Sequence, residues 1–239
     1  MRHACVQMSE YHYQSCCPDH CAGVACRYDM TTDAMNDTYQ AIRLVRSHAI
    51  DWGLDPKKIG IMGFSAGAEL AATAALTYDE WDAAYADVPS GAGESLGDVP
   101  SRPDFVALLY PGPTPFRKDR SPHAKPEDLV PEPPPIPRDV PPTFIASPGS
   151  GDRIHAIWAT EYFSAMLEAG VPNLEMHIYG NGTHGGGLTY RHGTPLGSWT
   201  DRFIDWFADL GFLSVGLDGE KTKAAVDVAS FARGESVPQ

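Results

Sequence analysis

The sequence lacks features that whole classes of protein require. No apolar run is long enough to cross a bilayer, and the opening segment MRHACVQMSEYHYQ lacks the apolar centre of a secretory signal. Basic residues are scarce, because 18 Lys and Arg against 31 Asp and Glu give a formal net charge of −13. Such a surface repels nucleic-acid backbones and anionic lipid. The composition therefore predicts a cytoplasmic protein with no nucleic-acid or membrane partner.

Cysteine is absent from most of the chain. All five cysteines lie before residue 27, in a segment that also holds three histidines. Structural zinc sites pair close Cys and His ligands across a longer loop, and that spacing is absent here. A disulfide framework is unusual in a cytoplasmic chain of this length. We therefore expect reduced thiols and no metal, although Cys17, His20 and Cys21 would be the ligands of a zinc site.

The length and a hydrophobic content of 43% suit a single domain, which we place at residues 1–213. Residues 1–22 form an atypical N-terminal segment and residues 214–239 a polar tail. From Gly23 onward short apolar runs alternate with helical patterns, which predicts an α/β fold: a mostly parallel central sheet with helices on both faces. The stretch PEPPPIPRDVPP holds seven prolines, so residues 111–142 are predicted to form a stiff surface excursion.

The alternation also predicts individual elements. The predicted strands are Val24–Tyr28, Lys58–Met62, Phe105–Tyr110, Thr143–Ala146 and Leu174–Tyr179. The predicted helices are Asp37–Trp52, Ala66–Leu76, Ala156–Ala169 and Ser198–Leu210.

The motif GFSAG, residues 63–67, lies between a predicted strand and an Ala-rich helix. A nucleophile elbow needs small residues around its serine, because the backbone turns too tightly for side chains. The turn exposes the Ser65 hydroxyl at the strand tip and places the Ala66 N–H at a helix N-terminus, where negative charge is favoured. We predict Ser65 as a nucleophile and the Ala66 N–H as an oxyanion donor. The alternative is a glycine-flanked serine in an ordinary turn.

A serine hydroxyl needs a base, and that base needs an orienting acid. His184 lies in the loop GTHGGG directly after the predicted strand LEMHIY and is the predicted base. Asp152 follows the strand TFIA and is the predicted acid, with a helix N-cap as its alternative role. The serine, acid and base then follow the chain order of α/β-hydrolases. His155 and His192 are weaker competitors as the base, and His177 is predicted to be structural.

Several segments together resemble the small esterase branch of the α/β-hydrolases, which includes acetylxylan-esterase-like enzymes. They include KIGIMGFSAGAELAATAA, PDFVALLYPG, AGVPNLEMHIYGNGTHGGGL and WTDRFIDWFADLGFL. The resemblance covers most of residues 37–213 and implies an α/β-hydrolase fold with reduced N-terminal strands. It also implies a carboxylesterase that uses Ser65, Asp152 and His184 on short acyl esters, with acetylated carbohydrate as a candidate substrate and no cofactor.

Enzymes of this branch carry a glycine-rich loop that supplies a second oxyanion donor, and no such loop precedes Gly23 here. We predict that Ala4–Met8 forms a strand beside KIGIM and that a backbone N–H between Ser9 and Tyr13 takes the donor's place. The alternatives are that VACRY pairs directly with KIGIM, or that a second subunit covers the open edge and makes a homodimer.

Two other functions compete with the esterase. A non-catalytic relative that binds a ligand or partner is suggested by the missing oxyanion loop. A binding protein has no need of a full Ser–Asp–His set, which argues against that alternative. Peptidases and amidases of the same fold normally carry a large additional domain, for which 239 residues leave no room.

Overall fold

The computed structural model describes residues 2–8, 32–85, 96, 98–116, 136–186 and 194–213, with the backbone alone described for 2–8. In chain order the elements are β1 Arg2–Met8, α1 Asp33–Ser47, β2 Leu54–Phe64, α2 Ala66–Tyr85, β3 Val106–Leu109, β4 Thr143–Pro148, α3 Arg153–Glu168, β5 Leu174–Tyr179 and α4 Trp199–Asp209. One turn of 3-10 helix, Pro195–Ser198, leads into α4. Among these helices, none combines the length and apolar character that crossing a bilayer takes.

The five strands form one sheet in the order β1-β2-β3-β4-β5, and all four pairings are parallel. Helices connect or follow the strands on both faces, so the predicted α/β fold is confirmed. Because the strands are parallel, their carboxyl ends meet at one edge, where ligands bind in open α/β sheets. Ser65 follows β2 at that edge, and the loops after β4 and β5 leave the sheet beside it.

The N-terminal strand prediction is confirmed. Residues Ala4–Met8 belong to β1, which runs parallel to β2 with Met8 opposite Gly63. β3 lies on the other side of β2, so both sides of the nucleophile strand are paired. The alternative in which VACRY pairs directly with KIGIM is therefore wrong, and the open edge that suggested a second subunit is filled. The strand Val24–Tyr28 itself lies outside the described residues.

The two faces of the sheet bury different kinds of side chain. Strand residues alternate between the faces, so Val106 and Leu108 point to one side while Ala107 and Leu109 point to the other. The first side packs against α1, α2 and α3, and α2 contributes five buried alanines that allow close approach to the sheet. The second side packs against α4 through a cluster of aromatic rings: Phe64, Phe105, Phe144, Trp199, Phe203, Trp206 and Phe207.

The helix bounds differ most from prediction at α1, which was expected to span Asp37–Trp52. The helix begins and ends earlier, with its buried stripe at Met35, Tyr39 and Ile42. After His48 the chain forms turns that finish at Gly53, whose φ of 68° is readily adopted by glycine. Ile50, which the predicted helix includes, lies in these turns and is 69% exposed.

The remaining differences extend predicted elements along the chain. The α2 helix continues past Leu76 to Tyr85, because the buried Tyr78 and Trp81 prolong its apolar stripe. β2 also extends beyond Lys58–Met62 at both ends, and α3 begins at Arg153. β5 has the predicted bounds. Of the Pro-rich stretch, residues 111–116 and 136–142 form turns and coil, and 117–135 lie outside the described residues, as does the tail 214–239.

Candidate active site

Ser65 occupies a sharp turn between β2 and α2. Its φ of 54° is in the left-handed region, which a non-glycine residue keeps only where its surroundings hold it. The Ser65 N–H donates to the Leu109 carbonyl at 3.0 Å, and its carbonyl accepts from the Ala68 N–H at 2.9 Å. A Cβ on Gly63 would lie 2.1 Å from the Gly67 carbonyl oxygen. The turn therefore needs a glycine at 63, and it presents the Ser65 hydroxyl at the sheet edge.

Ala66 is the first residue of α2. N–H groups in the first turn of a helix have no carbonyl partner within that helix, and the helix dipole favours an anion beside them. The Ala66 backbone thus has the position expected of an oxyanion donor next to Ser65. β1 runs parallel to β2 and ends at Met8 opposite Gly63, so the carboxyl end of β1 lies at the same edge of the sheet as the elbow. The predicted second donor, between Ser9 and Tyr13, lies outside the described residues.

His184 comes from the loop after β5. Its Nε2 lies 2.8 Å from the Ser65 Oγ. The imidazole is 38% exposed, so solvent reaches the base as well as the nucleophile. Gly185 follows with a φ of 78°, a left-handed conformation that lets the loop turn away directly after the histidine. The structure therefore brings the predicted base to the predicted nucleophile within hydrogen-bond distance.

Asp152 lies in the loop after β4, at the N-cap position of α3. Its carboxylate makes no hydrogen bond to the N–H groups of that helix. Instead its Oδ2 lies 2.7 Å from the Nδ1 of His184, and the side chain is only 7% exposed. With Nδ1 protonated, His184 donates to Asp152 and leaves Nε2 free to accept the Ser65 proton. The alternative role of Asp152 as a side-chain cap is absent from the structure.

The second oxygen of Asp152 contacts a histidine that the sequence indicated only as a competing base. The Nδ1 of His155 lies 2.5 Å from the Asp152 Oδ1. Its ring stacks on the ring of His184, with centroids 4.1 Å apart and 28° between the planes. The spacing of three residues from Asp152 is the sequence signal that would have identified it, since such pairs meet on a helix.

Tyr110 also contacts the base. It directly follows β3 with a φ of 39°, and its ring meets that of His184 edge-on with centroids 5.0 Å apart. The ring is 3% exposed and packs against Phe64, the residue before the nucleophile. Aromatic contacts of this kind hold the plane of an imidazole ring. Nothing in the strand pattern FVALLY distinguished Tyr110 from its apolar neighbours.

The loops that carry Asp152 and His184 touch through their backbones. A Cβ added to Gly151 would lie 1.7 Å from the Gly182 carbonyl oxygen. Glycine at 151 therefore lets the two loops approach within backbone contact. A side chain at position 151 would push the two loops apart.

The remaining histidine predictions have separate outcomes. His177 lies in β5, where its Nε2 is 2.7 Å from Glu175 and its ring faces Phe144. It thus belongs to the sheet rather than to the Ser65 site. His192 lies outside the described residues, as does the Cys- and His-containing segment before residue 27.

The cluster of Asp152, His155 and His184 has ligand atoms of the type that bind a transition metal, all within 4.8 Å of one another. Metal coordination requires the lone pairs of both imidazoles to converge on one point in the planes of the rings. Here the two rings are stacked, and each Nδ1 faces a different oxygen of the same carboxylate. That geometry fits two N–H groups donating to one acceptor better than it fits two nitrogens sharing a cation.

The α/β-hydrolases have a parallel sheet with a serine at a strand–helix elbow. In these proteins an aspartate follows a later strand and a histidine follows the next one. The chain has the α/β-hydrolase fold. The BD-FAE family model matches residues 7–93, which include the elbow.

Comparison with known proteins agrees with this assignment. The chain is similar to the acetyl ester-xyloside bifunctional hydrolase of Caldicellulosiruptor lactoaceticus, with a TM-score of 0.61 and 26% identity over 77% of this chain and 68% of that one. Carboxylesterase Cest-2923 of Lactobacillus plantarum shares the fold at a TM-score of 0.59 and 19% identity, covering 78% and 71%. The esterase Est2 of Thermogutta terrifontis does so at 0.55 and 24%, covering 76% and 67%.

One curated relative matches over a shorter segment. Endo-1,4-beta-xylanase B of Butyrivibrio fibrisolvens is 36% identical over 77 residues, which are 32% of this chain and 11% of that protein. The match thus covers about a third of this chain and a tenth of the xylanase, and the similarity concerns those parts alone.

Proposed function

We propose that this protein is a serine carboxylesterase that hydrolyses short acyl esters, with acetyl groups on carbohydrate as the preferred candidate. One observation carries the proposal: a continuous chain of hydrogen bonds joins Ser65 to His184 at 2.8 Å and His184 to Asp152 at 2.7 Å. These distances suit proton transfer without rearrangement. Structural similarity to esterases and to an acetyl ester-xyloside hydrolase supports the ester and carbohydrate parts.

In the first half-reaction the Ser65 Oγ attacks the ester carbonyl while His184 Nε2 takes the hydroxyl proton. The negative charge on the tetrahedral intermediate is stabilised by the Ala66 N–H at the start of α2, and Asp152 stabilises the imidazolium. The intermediate then collapses, the bond to the alcohol oxygen breaks, and His184 returns its proton to the leaving alcohol. The product is an acyl-Ser65.

In the second half-reaction a water molecule attacks the acyl-Ser65 while His184 accepts one of its protons. Collapse of the second tetrahedral intermediate breaks the bond to Ser65 Oγ, which recovers the proton from His184, and a carboxylic acid is released. The exposure of His184 supports this step, because the water must reach the base from solvent. No cofactor takes part in either half-reaction.

The decisive experiment is covalent labelling by a fluorophosphonate probe, since it requires an activated serine whatever the natural ester is. We expect the wild type and Ser164→Ala to be labelled and Ser65→Ala to be unlabelled. Ser164 is the matched control, because it is an exposed serine of α3 away from the elbow. An unlabelled wild type would favour the alternative of a non-catalytic binding protein.

Steady-state kinetics test the assignment of the base and the acid. Ser65→Ala and His184→Ala should each lower kcat by about 10⁴- to 10⁶-fold on p-nitrophenyl acetate, and the double variant should be little worse. Asp152→Asn should cost less, about 10⁴-fold, because the remaining groups still bind and polarise the ester. A panel of p-nitrophenyl esters of increasing chain length, with acetylated xylan beside it, tests the substrate class. A preference for long acyl chains would contradict the short-acyl proposal.

A further inference from the structure

His155 is the feature of the site that the proposed mechanism does not use. It contacts Asp152 through Nδ1 at 2.5 Å and covers the ring of His184 at 4.1 Å between centroids. Its own ring is held edge-on by Trp158, which is 2% exposed. His155 thus connects the buried part of α3 to both the acid and the base.

The position of Asp152 gives its carboxylate two competing partners. As the N-cap of α3 it would ordinarily accept hydrogen bonds from the N–H groups of the first helical turn, because aspartate is among the preferred caps. In this structure it makes no such bond. His155 is the third residue of the helix. Its imidazole contacts Oδ1, the oxygen that would otherwise accept from the N–H groups of the helix. Oδ2 is thereby left facing His184.

Because Asp152 is buried, loss of the bond between His155 and its Oδ1 is costly. The Asp152 side chain is 7% exposed, so an oxygen without a donor would lose the hydration that an exposed carboxylate keeps. Removing the His155 donor therefore favours rotation of the carboxylate toward the N–H groups of α3. That rotation breaks the bond to His184, and the base loses both its tautomer control and its orientation.

We infer that His155 is a positioning residue, which holds Asp152 away from its helix-capping role and fixes the ring plane of His184. The inference rests on the proposed function, because its effect is exerted through the acid and the base. It distinguishes two contributions, the N–H donated to Asp152 and the ring stacked on His184.

Three substitutions separate these contributions. His155→Asn keeps an N–H donor close to the position of Nδ1 and loses the stacked ring. His155→Phe keeps a ring against His184 and loses the donor, and His155→Ala loses both. The matched control is His177→Ala, which removes a histidine that also pairs with a carboxylate, at 2.7 Å, away from Ser65.

The readouts are kcat and KM on p-nitrophenyl acetate, the rate of fluorophosphonate labelling, and the midpoint of urea unfolding. We expect His155→Ala to lower kcat about 10- to 100-fold, the range for partners that orient a reacting group, with KM changed less than about threefold. His155→Asn should recover most of kcat and His155→Phe only a small part, because the donor decides where Oδ2 points. His177→Ala should keep the wild-type kcat.

A wild-type kcat in His155→Ala would overturn the inference, as would an Asn variant no better than Ala at an unchanged unfolding midpoint. Loss of labelling in a chelator and its recovery with Zn²⁺ would also overturn it, since Asp152, His155 and His184 would then form a metal centre. Ser65-dependent labelling of the wild type tests the proposed function separately. An unlabelled wild type overturns both, whereas a labelled wild type with silent His155 variants overturns the inference alone.

Discussion

The two sides of the candidate site are built differently. On the nucleophile side, β2, Ser65 and α2 are continuous in sequence, and the elbow is surrounded by buried backbone from β3 and the start of α2. On the acid–base side, Asp152 and His184 come from separate loops and meet only because β4 and β5 pair in parallel register up to Pro148 and Tyr179. One side depends on local chain geometry and the other on the alignment of two strands.

This difference separates stability from activity. Ala68 at the elbow is fully buried, whereas the side chain of His184 is 38% exposed. A steric defect at the elbow has no solvent-facing direction in which to relax, so it should destabilise the fold. A defect at the exposed Gly151 or His184 is able to relax toward solvent, at the expense of the distances on which proton transfer depends.

Gly63→Ala should have the largest effect on stability. Its Cβ would lie 2.1 Å from the Gly67 carbonyl oxygen, so β2 and α2 must separate. We expect the free energy of unfolding to fall by about 3 kcal/mol, the upper range for overpacking, and labelling of Ser65 to be lost. Urea unfolding and probe labelling are the measurements.

The matched control for this prediction is Gly180→Ala. Among the described residues, no atom lies within 4 Å of a Cβ added at Gly180, and the Gly180 backbone is outside the left-handed region. It should keep the unfolding midpoint and labelling of the wild type. Equal stability of the Gly63 and Gly180 variants would contradict this expectation, because the elbow would then relax as readily as a loop.

Gly151→Ala should affect activity more than stability. The new Cβ would lie 1.7 Å from the Gly182 carbonyl oxygen, so the loops that carry Asp152 and His184 must move apart. A displacement of about 1 Å at a reacting group costs about 10²-fold in rate, and we expect a loss of that size in kcat. Gly151 is exposed, so the free energy of unfolding should fall by only about 1 kcal/mol. A loss of stability as large as that of Gly63→Ala would contradict the expectation that the acid–base loops affect activity more than stability.

Tyr110→Leu should have the smallest effect, since it removes a ring that contacts the base without hydrogen bonding to it. The edge-on contact at 5.0 Å belongs to a class worth about 0.5–1.5 kcal/mol. If the contact acts wholly on the transition state, kcat should fall about 2- to 13-fold. Tyr110→Phe keeps the ring and serves as the control. Equal losses in the two variants would show that the hydroxyl, and not the ring, supports His184.

The agreement between sequence and structure follows the same division. LEMHIY was predicted as a strand with the observed bounds, because apolar and polar side chains alternate along it. Predictions failed where a turn replaced a helix, as at Ile50, since periodicity alone does not show where a chain leaves its helix. The length of α2 was underestimated because Tyr78 and Trp81 continue its buried stripe beyond the alanines.

The amino-acid sequence alone determined the elbow around Ser65 and the order in which the serine, the aspartate and the histidine occur. These depend on glycines, strand signals and helix signals that are adjacent in the chain. For β1 the tertiary structure selected one of several predicted arrangements, the one in which it pairs with β2. The contact of Gly182 with Gly151 and the bond between His155 and Asp152 became evident only in the folded chain. The contacts between distant segments depend on the register of the parallel sheet. The choice of hydrogen-bond partner at Asp152 depends on the burial of its carboxylate.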